Sequence, residues 1–259
     1  MNKLLVNADD FGHHESVNNA ILNCVLVSSV NSVSVMANGK APDYDLLRTI
    51  SKRNVFTGIH ITWVGEKWIS QDMLIPDRPT LIRKIVFGGR RFVNELKNEA
   101  EAQIVLFLQH GISADHIDSH QHLHHLPLLW EILYELKNKY QIARIRVAYT
   151  GDRKLVREGP EGHVLQFLSS MKFDKIKHHI CAGIKYTGNY NLLLLKQELE
   201  KCSGLNTELI VHPGCNNMEL NRLYYAWNFD WETEHAALMD ETFLEMVVEN
   251  GFFLERKYF

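Results

Sequence analysis

The run Phe92–His120, FVNELKNEAEAQIVLFLQHGISADHIDSH, carries the fold class in miniature. Its first part, Phe92 to Gly111, predicts an amphipathic helix. Leu96, Ala100, Ile104 and Phe107 recur at the spacing that lines one helical face, and Gly111 suits the left-handed position just past a helix end. The last part, from about Asp115 to His120, reads as a strand. On it His116, Asp118 and His120 project from one side, and Ile117 and Ser119 from the other. A helix that leads straight into a half-polar strand is one link of a repeating αβ chain.

The alternation continues in both directions. KLLVNA (3–8), NSVSVMANG (31–39) and VFTGIHIT (55–62) read as strands, separated by helices over ESVNNAILNCVLVS (15–28) and PDYDLLRTISK (42–52). Residues 63–91 have no clean period and carry Pro76, Pro79, Gly88 and Gly89, the mark of a long excursion with one short helix at most. Beyond Pro127, a helix (128–140) and a strand, ARIRVAY (143–149), follow. Residues 150–191 are irregular apart from a helix around HVLQFLSSM (163–171). A helix (192–202), the strand TELIVHPG (207–214), one long helix (233–251) and a closing strand, FFLERK (252–257), complete the pattern. At least six βα units, with no internal repeat or linker, predict an α/β fold around a parallel sheet. We expect a single domain over residues 1–259, with a barrel as the ordinary form at this length.

Composition narrows the function. With 28 basic and 31 acidic residues, a net charge of −3 makes no electrostatic case for nucleic acid or an anionic membrane as partner. Cys24, Cys181, Cys202 and Cys215 stand far apart, which offers neither a zinc knuckle nor a secreted disulfide framework. MNKLLVNADDFG turns acidic after a very short apolar run, unlike a signal peptide, and a cytoplasmic location is expected.

In parallel α/β folds reactive groups gather where strands end at their carboxyl edges. Four ends carry carboxylates or imidazoles here: NADDFG (7–12), GIHIT (58–62), HIDSHQHLH (116–124) and IVHPG (210–214). A divalent ion held by one carboxylate and two imidazoles, with other positions open, is a recurrent hydrolytic arrangement, and Asp9 or Asp10 with His60 and His120 fits it. The neighbouring aspartate would then take a proton, and His212, on another strand, would give one. Asp118 and His116 are candidates to fix a ligand ring from behind. Each motif also has an ordinary reading. DD caps turns, a histidine in an apolar strand packs in a core, histidine runs are solvated, and the aromatic stretch LYYAWNFDW (223–231) packs as core or lid.

Together, VNADDFG (6–12), SVMANG (34–39), GIHIT, DHIDSHQHLHHLP (115–127) and VHPG (211–214) resemble the YdjC-like carbohydrate deacetylases. The resemblance implies a distorted, TIM-barrel-like (β/α) barrel with long loop insertions, and a metal-dependent site that removes acetyl from an N-acetylated sugar or oligosaccharide. Carried over by motif, Asp10, His60 and His120 would be ligands of one divalent ion, magnesium or zinc, with Asp9 as base and His212 as acid. His122 and His124 would lie near the rim. Asp118 and Asn38 join them as substrate-binding or supporting candidates, as does Arg146, whose strand parity lets it either pair with Asp9 or face outward. Relatives of the family make a homodimer the expected assembly. Three features depart from the pattern: Gln121, the pair His13 and His14 after DDFG, and the region 150–191. They leave the acceptor sugar open. The competing readings are a metal-dependent phosphoesterase or sugar isomerase on the same barrel, and a sugar-binding relative without catalysis.

Overall fold

The computed structural model describes residues 1–176 and 179–257. In chain order these form β1 (Asn2–Phe11), α1 (Glu15–Leu26), β2 (Ser32–Val35), α2 (Tyr44–Ser51), β3 (Phe56–Ile61), α3 (Arg78–Phe87), α4 (Gly89–Gln109) and β4 (His116–Ser119). After a 3-10 turn at His120–His125 come α5 (Pro127–Lys139), β5 (Arg144–Ile145), α6 (Pro160–Ile176), β6 (Ile180–Ala182), α7 (Leu192–Cys202) and β7 (Thr207–Val211). The last elements are α8 (Asn217–Tyr224), α9 (Trp231–Met239), α10 (Glu241–Glu249) and β8 (Phe252–Leu254).

The strands lie parallel in the order β5-β4-β3-β2-β1-β7-β6, and β8 pairs with the start of β1. β8 and β2 share one edge of β1 end to end. The side chain of Asn31 fills the gap between them, accepting from Val6 N–H (2.7 Å) and donating to the carbonyls of Leu4 and Glu255. The sheet curls into a distorted barrel, α/β as expected. Among the described residues no ladder joins its two end strands, β5 and β6; that seam is crossed by a hydrogen bond from Cys181 N–H to Tyr149 O (2.7 Å), by ion pairs of Arg144 and Arg146 with Glu208, and by a small apolar cluster of Ala148, Cys181, Ile184 and Ile210.

The two faces of the strands differ in kind. Leu4, Val6 and Ala8 of β1, Val33 and Val35 of β2, Ile59 and Ile61 of β3, Ile117 of β4 and Leu209 and Val211 of β7 join the main buried apolar cluster with the helices. Alternate residues turn inward and are polar: Asn7 and Asp9, Ser32 and Ser34, His60, His116 and Asp118, and Glu208, all buried. A barrel of this class is ordinarily filled with branched apolar side chains. This one is filled with charge.

Two adjacent aspartates cannot both face inward on a regular strand. β1 solves this with a bulge: Ala8 pairs with Val33 and Phe11 with Val35, so that Asp9 and Asp10 together oppose Ser34, and Asp10 takes the left-handed conformation with φ 67°. On β3 the glycine of GIH has a different cause. A Cβ at Gly58 would lie 2.2 Å from His116 Nε2, so the imidazole needs the bare backbone beneath it. Gly58→Ala is expected to cost about 1–3 kcal/mol of stability by overpacking, read as a lower midpoint in urea unfolding; an unchanged midpoint would count against this packing.

Several elements differ from expectation for local reasons. The long helix after Trp231 breaks at Asp240, whose backbone is extended and whose side chain accepts from Thr242 N–H to start α10. The strand near Arg146 is only two residues long, although Arg146 N–H still reaches Ile117 O at 3.1 Å. β6 lies in the stretch that the sequence left undivided, and α8 runs into the start of the aromatic run, ending at Tyr224.

Candidate metal centre

Four strand ends deliver the site. The bulge of β1 presents Asp10, whose Oδ1 lies 3.3 Å from His60 Nε2 on β3 and 3.1 Å from His120 Nδ1 in the turn after β4. Ligand atoms of Asp10, His60 and His120 all fall within 4.8 Å of one another, and all three residues are buried. His120 stands one residue past the end of β4, so its place comes from the turn and not from strand parity with His116 and Asp118.

Behind this group runs a buried network. Asp118 Oδ1 is 2.6 Å from His60 Nδ1, which leaves Nε2 of that ring facing Asp10. Its other oxygen accepts from Ser34 Oγ–H (2.7 Å) and lies 2.9 Å from an Arg146 nitrogen. Arg146 grips Asp9 through two bonds of 2.8 Å and donates from Nε to Glu208 at 2.8 Å. Asn7 Nδ2–H adds a further donor to Asp9 at 2.6 Å. Asp9, His60 and Asp118 also offer clustered ligand atoms, but the Arg146 guanidinium already lies between the two carboxylates.

The charges set the protonation states. Burial would raise the Asp9 carboxyl, but Arg146, together with His60 and His212, outweighs it and holds the group well below the usual carboxylate range. Burial acts likewise on Asp10, where His120 and His60 pull the pKa down, and on Glu208, held near 2 by Arg144 and Arg146. Burial would lower His60, yet Asp118 and Asp9 push it up to about 10. Three buried carboxylates, Asp9, Asp118 and Glu208, thus contact one fully buried guanidinium, with Arg144 at the margin and a fourth, Asp10, set against His60 and His120. That negative excess, with a carboxylate and two imidazoles converging beside it, is the environment that a divalent cation fits.

The remaining candidates have varied settings. His212 is buried, with its backbone N–H donating to Glu234 (2.5 Å), its ring 5.4 Å from Phe229 and no hydrogen-bond partner on Nδ1. Burial lowers its pKa, against the pull of Asp10 and Asp9. His124 is fully buried and spans Ser119 Oγ (2.8 Å) and Arg146 O (3.0 Å), so it braces the turn. His125 does the same through Ala148 N–H. His122 is half-buried with an unpartnered Nδ1, on a backbone that is left-handed at both Gln121 and His122. Asn38 donates to the carbonyls of Thr62 and Lys67 and ties two loops together. His14 caps α1 by accepting from Ser16 N–H. Ser34 and Glu208 were not singled out from sequence, although a glutamate inside TELIV was a readable signal.

Residues 3–249 match the sequence profile of the YdjC-like proteins. The chain belongs to the YdjC-like family. This YdjC-like chain is 26% identical over 262 residues to a carbohydrate deacetylase of Thermoanaerobacter pseudethanolicus, covering 98% of its own length and 97% of the relative's. Among solved structures it is similar to a protein of Enterococcus faecalis V583 named for cellobiose-phosphate cleavage, at 20% identity and a TM-score of 0.67 over 99% of this chain and 98% of the other. It is also similar to a family 4 carbohydrate esterase of Streptomyces lividans in complex with acetate, at 9% identity and a TM-score of 0.52 over 98% and 92% of the two chains. Both likenesses concern the fold. No helix among the described residues of the YdjC-like chain is long and apolar enough to cross a membrane.

Proposed function

We propose that this YdjC-like protein is a divalent-metal-dependent carbohydrate deacetylase, acting as one domain, that hydrolyses the amide of an N-acetylated sugar or oligosaccharide. The observation that carries the reading is the convergence of Asp10, His60 and His120 beside an Arg146-bound Asp9, in a chain similar along its length to a carbohydrate deacetylase. Asp10, His60 and His120 are the residues that would hold the ion. Bound there, a divalent ion supplies Lewis acidity, drawing electron density from a carbonyl oxygen and making water more acidic.

The protein's own groups handle the protons. Asp9 is the carboxylate that takes the proton of the attacking water. Arg146 keeps it ionised, at the cost of making it a weak base. His212, neutral through burial, is the more basic destination for that proton, and it is the group that passes it to the departing nitrogen. An amine leaves poorly without this step. Asp118 fixes the tautomer of His60 and shares its second oxygen with Arg146, so one carboxylate supports both arms of the site.

Acetate release from N-acetylated oligosaccharides is expected to disappear after exhaustive chelation and to return when a divalent ion is restored, with zinc and magnesium tested separately. Full turnover in the metal-stripped protein would overturn the reading. Parallel assays on phosphorylated and unacetylated sugars separate it from phosphoester hydrolysis and isomerisation.

A further inference from the structure

The segment between β7 and α9 places aromatic side chains against both ends of the site. The Trp227 ring lies 5.2 Å from that of His120, and Phe229 lies 5.4 Å from Trp227 and 5.4 Å from His212. The pair therefore bridges the proposed metal ligand and the proposed proton carrier. Three other loops brace this wall. His13 stacks on Trp227 at 5.0 Å and 10°, and Tyr224 packs on His13 at 4.2 Å. Lys40 Nζ lies 3.4 Å from Tyr224 Oη and 3.8 Å from Glu66, which in turn lies 3.4 Å from His13.

Simple core packing does not account for the arrangement. Trp231, four residues on, is buried as a core residue should be, whereas Trp227, Phe229 and Tyr224 stay partly exposed next to the reactive groups. His13 covers one face of Trp227, and the part of the ring that stays exposed beside polar donors suits the C–H face of a sugar ring. Lys40, largely exposed at the rim and 3.8 Å from Glu66, leaves an ammonium donor within reach of a sugar hydroxyl.

We infer that Trp227, with Phe229 beside it and Tyr224 and Lys40 at its rim, is the platform on which the sugar ring carrying the reacting amide stacks. The inference rests on the deacetylase reading for what the sugar carries, but not for its binding. The test compares Trp227→Leu and Trp227→Phe in metal-loaded protein, measuring calorimetric affinity for an N-acetylglucosamine disaccharide, acetate release and bound metal per chain. Leucine keeps apolar bulk and loses the ring, so affinity should fall about tenfold, and phenylalanine should restore most of it. Bound metal should match the parent in both. Unchanged affinity in Trp227→Leu, a phenylalanine variant no better than leucine, metal loss in Trp227→Leu, or a parent that fails to bind the disaccharide would each overturn the platform. Trp227-dependent binding without acetate release would instead overturn the deacetylase reading and leave the platform standing.

Discussion

Asp10→Asn is expected to yield a folded protein that no longer retains a divalent ion, with acetate release down roughly a thousandfold. Asparagine is the right substitution because residue 10 sits at φ 67°, a conformation that Asn tolerates and most side chains do not. The change therefore removes a charge without straining the bulge. The companion variant, Asp9→Asn, should behave differently: bound metal stays, while turnover falls about 10²–10⁴-fold through loss of the proton acceptor. Arg146 keeps Asp118 and Glu208 as partners in that variant. Metal per chain by mass spectrometry, set beside turnover, separates the two aspartates. If Asp10→Asn holds its ion as tightly as the parent, the assignment of that carboxylate as a ligand is wrong.

Arg146→Met should be the most destabilising single change in the interior. The guanidinium is fully buried between Asp9, Asp118 and Glu208, and its removal leaves three desolvated carboxylates facing one another. Breaking a buried ion network from one side costs about 3–5 kcal/mol, which at this chain length lowers Tm by about 10 °C. The pH dependence gives the sharper signature. In the parent these carboxyls have depressed pKa values in the folded state, so their contribution to stability is present above about pH 4 and is lost as pH falls through the folded values. Without Arg146, burial dominates and raises them. The folded variant then binds more protons than the unfolded chain, and stability declines as pH rises from about 4. Across pH 4, 5.5 and 7 the unfolding midpoint should change little in the parent through these groups and fall steadily in Arg146→Met; parallel trends would show that Arg146 does not govern these groups.

The sequence discloses the strands through their two-residue alternation, because one face meets helices and the other does not. The apolar set Leu4, Val6 and Ala8 against the polar set Asn7 and Asp9 is readable at sight. The parallel sheet follows from such runs, whereas the distortion of the barrel is implied by the family resemblance alone. Alternation fails at the centre of the site, however. It would send Asp9 and Asp10 to opposite faces, and only the unequal pairing with β2 brings both inward. It likewise groups His120 with His116 and Asp118 as strand neighbours, whereas His120 reaches Asp10 from a turn and His116 rests against Gly58. The break at Asp240 was hidden because helical periodicity continues across it. In the aromatic run, composition does not separate Trp231, a core residue, from Trp227, which lines the site. That distinction depends on which loops converge there.

The unladdered line between β5 and β6 gives the barrel an anisotropic stiffness. Everywhere else adjacent strands share backbone bonds, and β1 is flanked along both edges, so deformation there must break a ladder. Along the one open line, the ion pairs of Arg144 and Arg146 with Glu208, the Cys181–Tyr149 amide bond and the buried cluster of Ala148, Cys181, Ile184 and Ile210 hold the wall together. Because Arg146 also grips Asp9 and Asp118, any parting of these two margins would pull directly on the charged heart of the molecule.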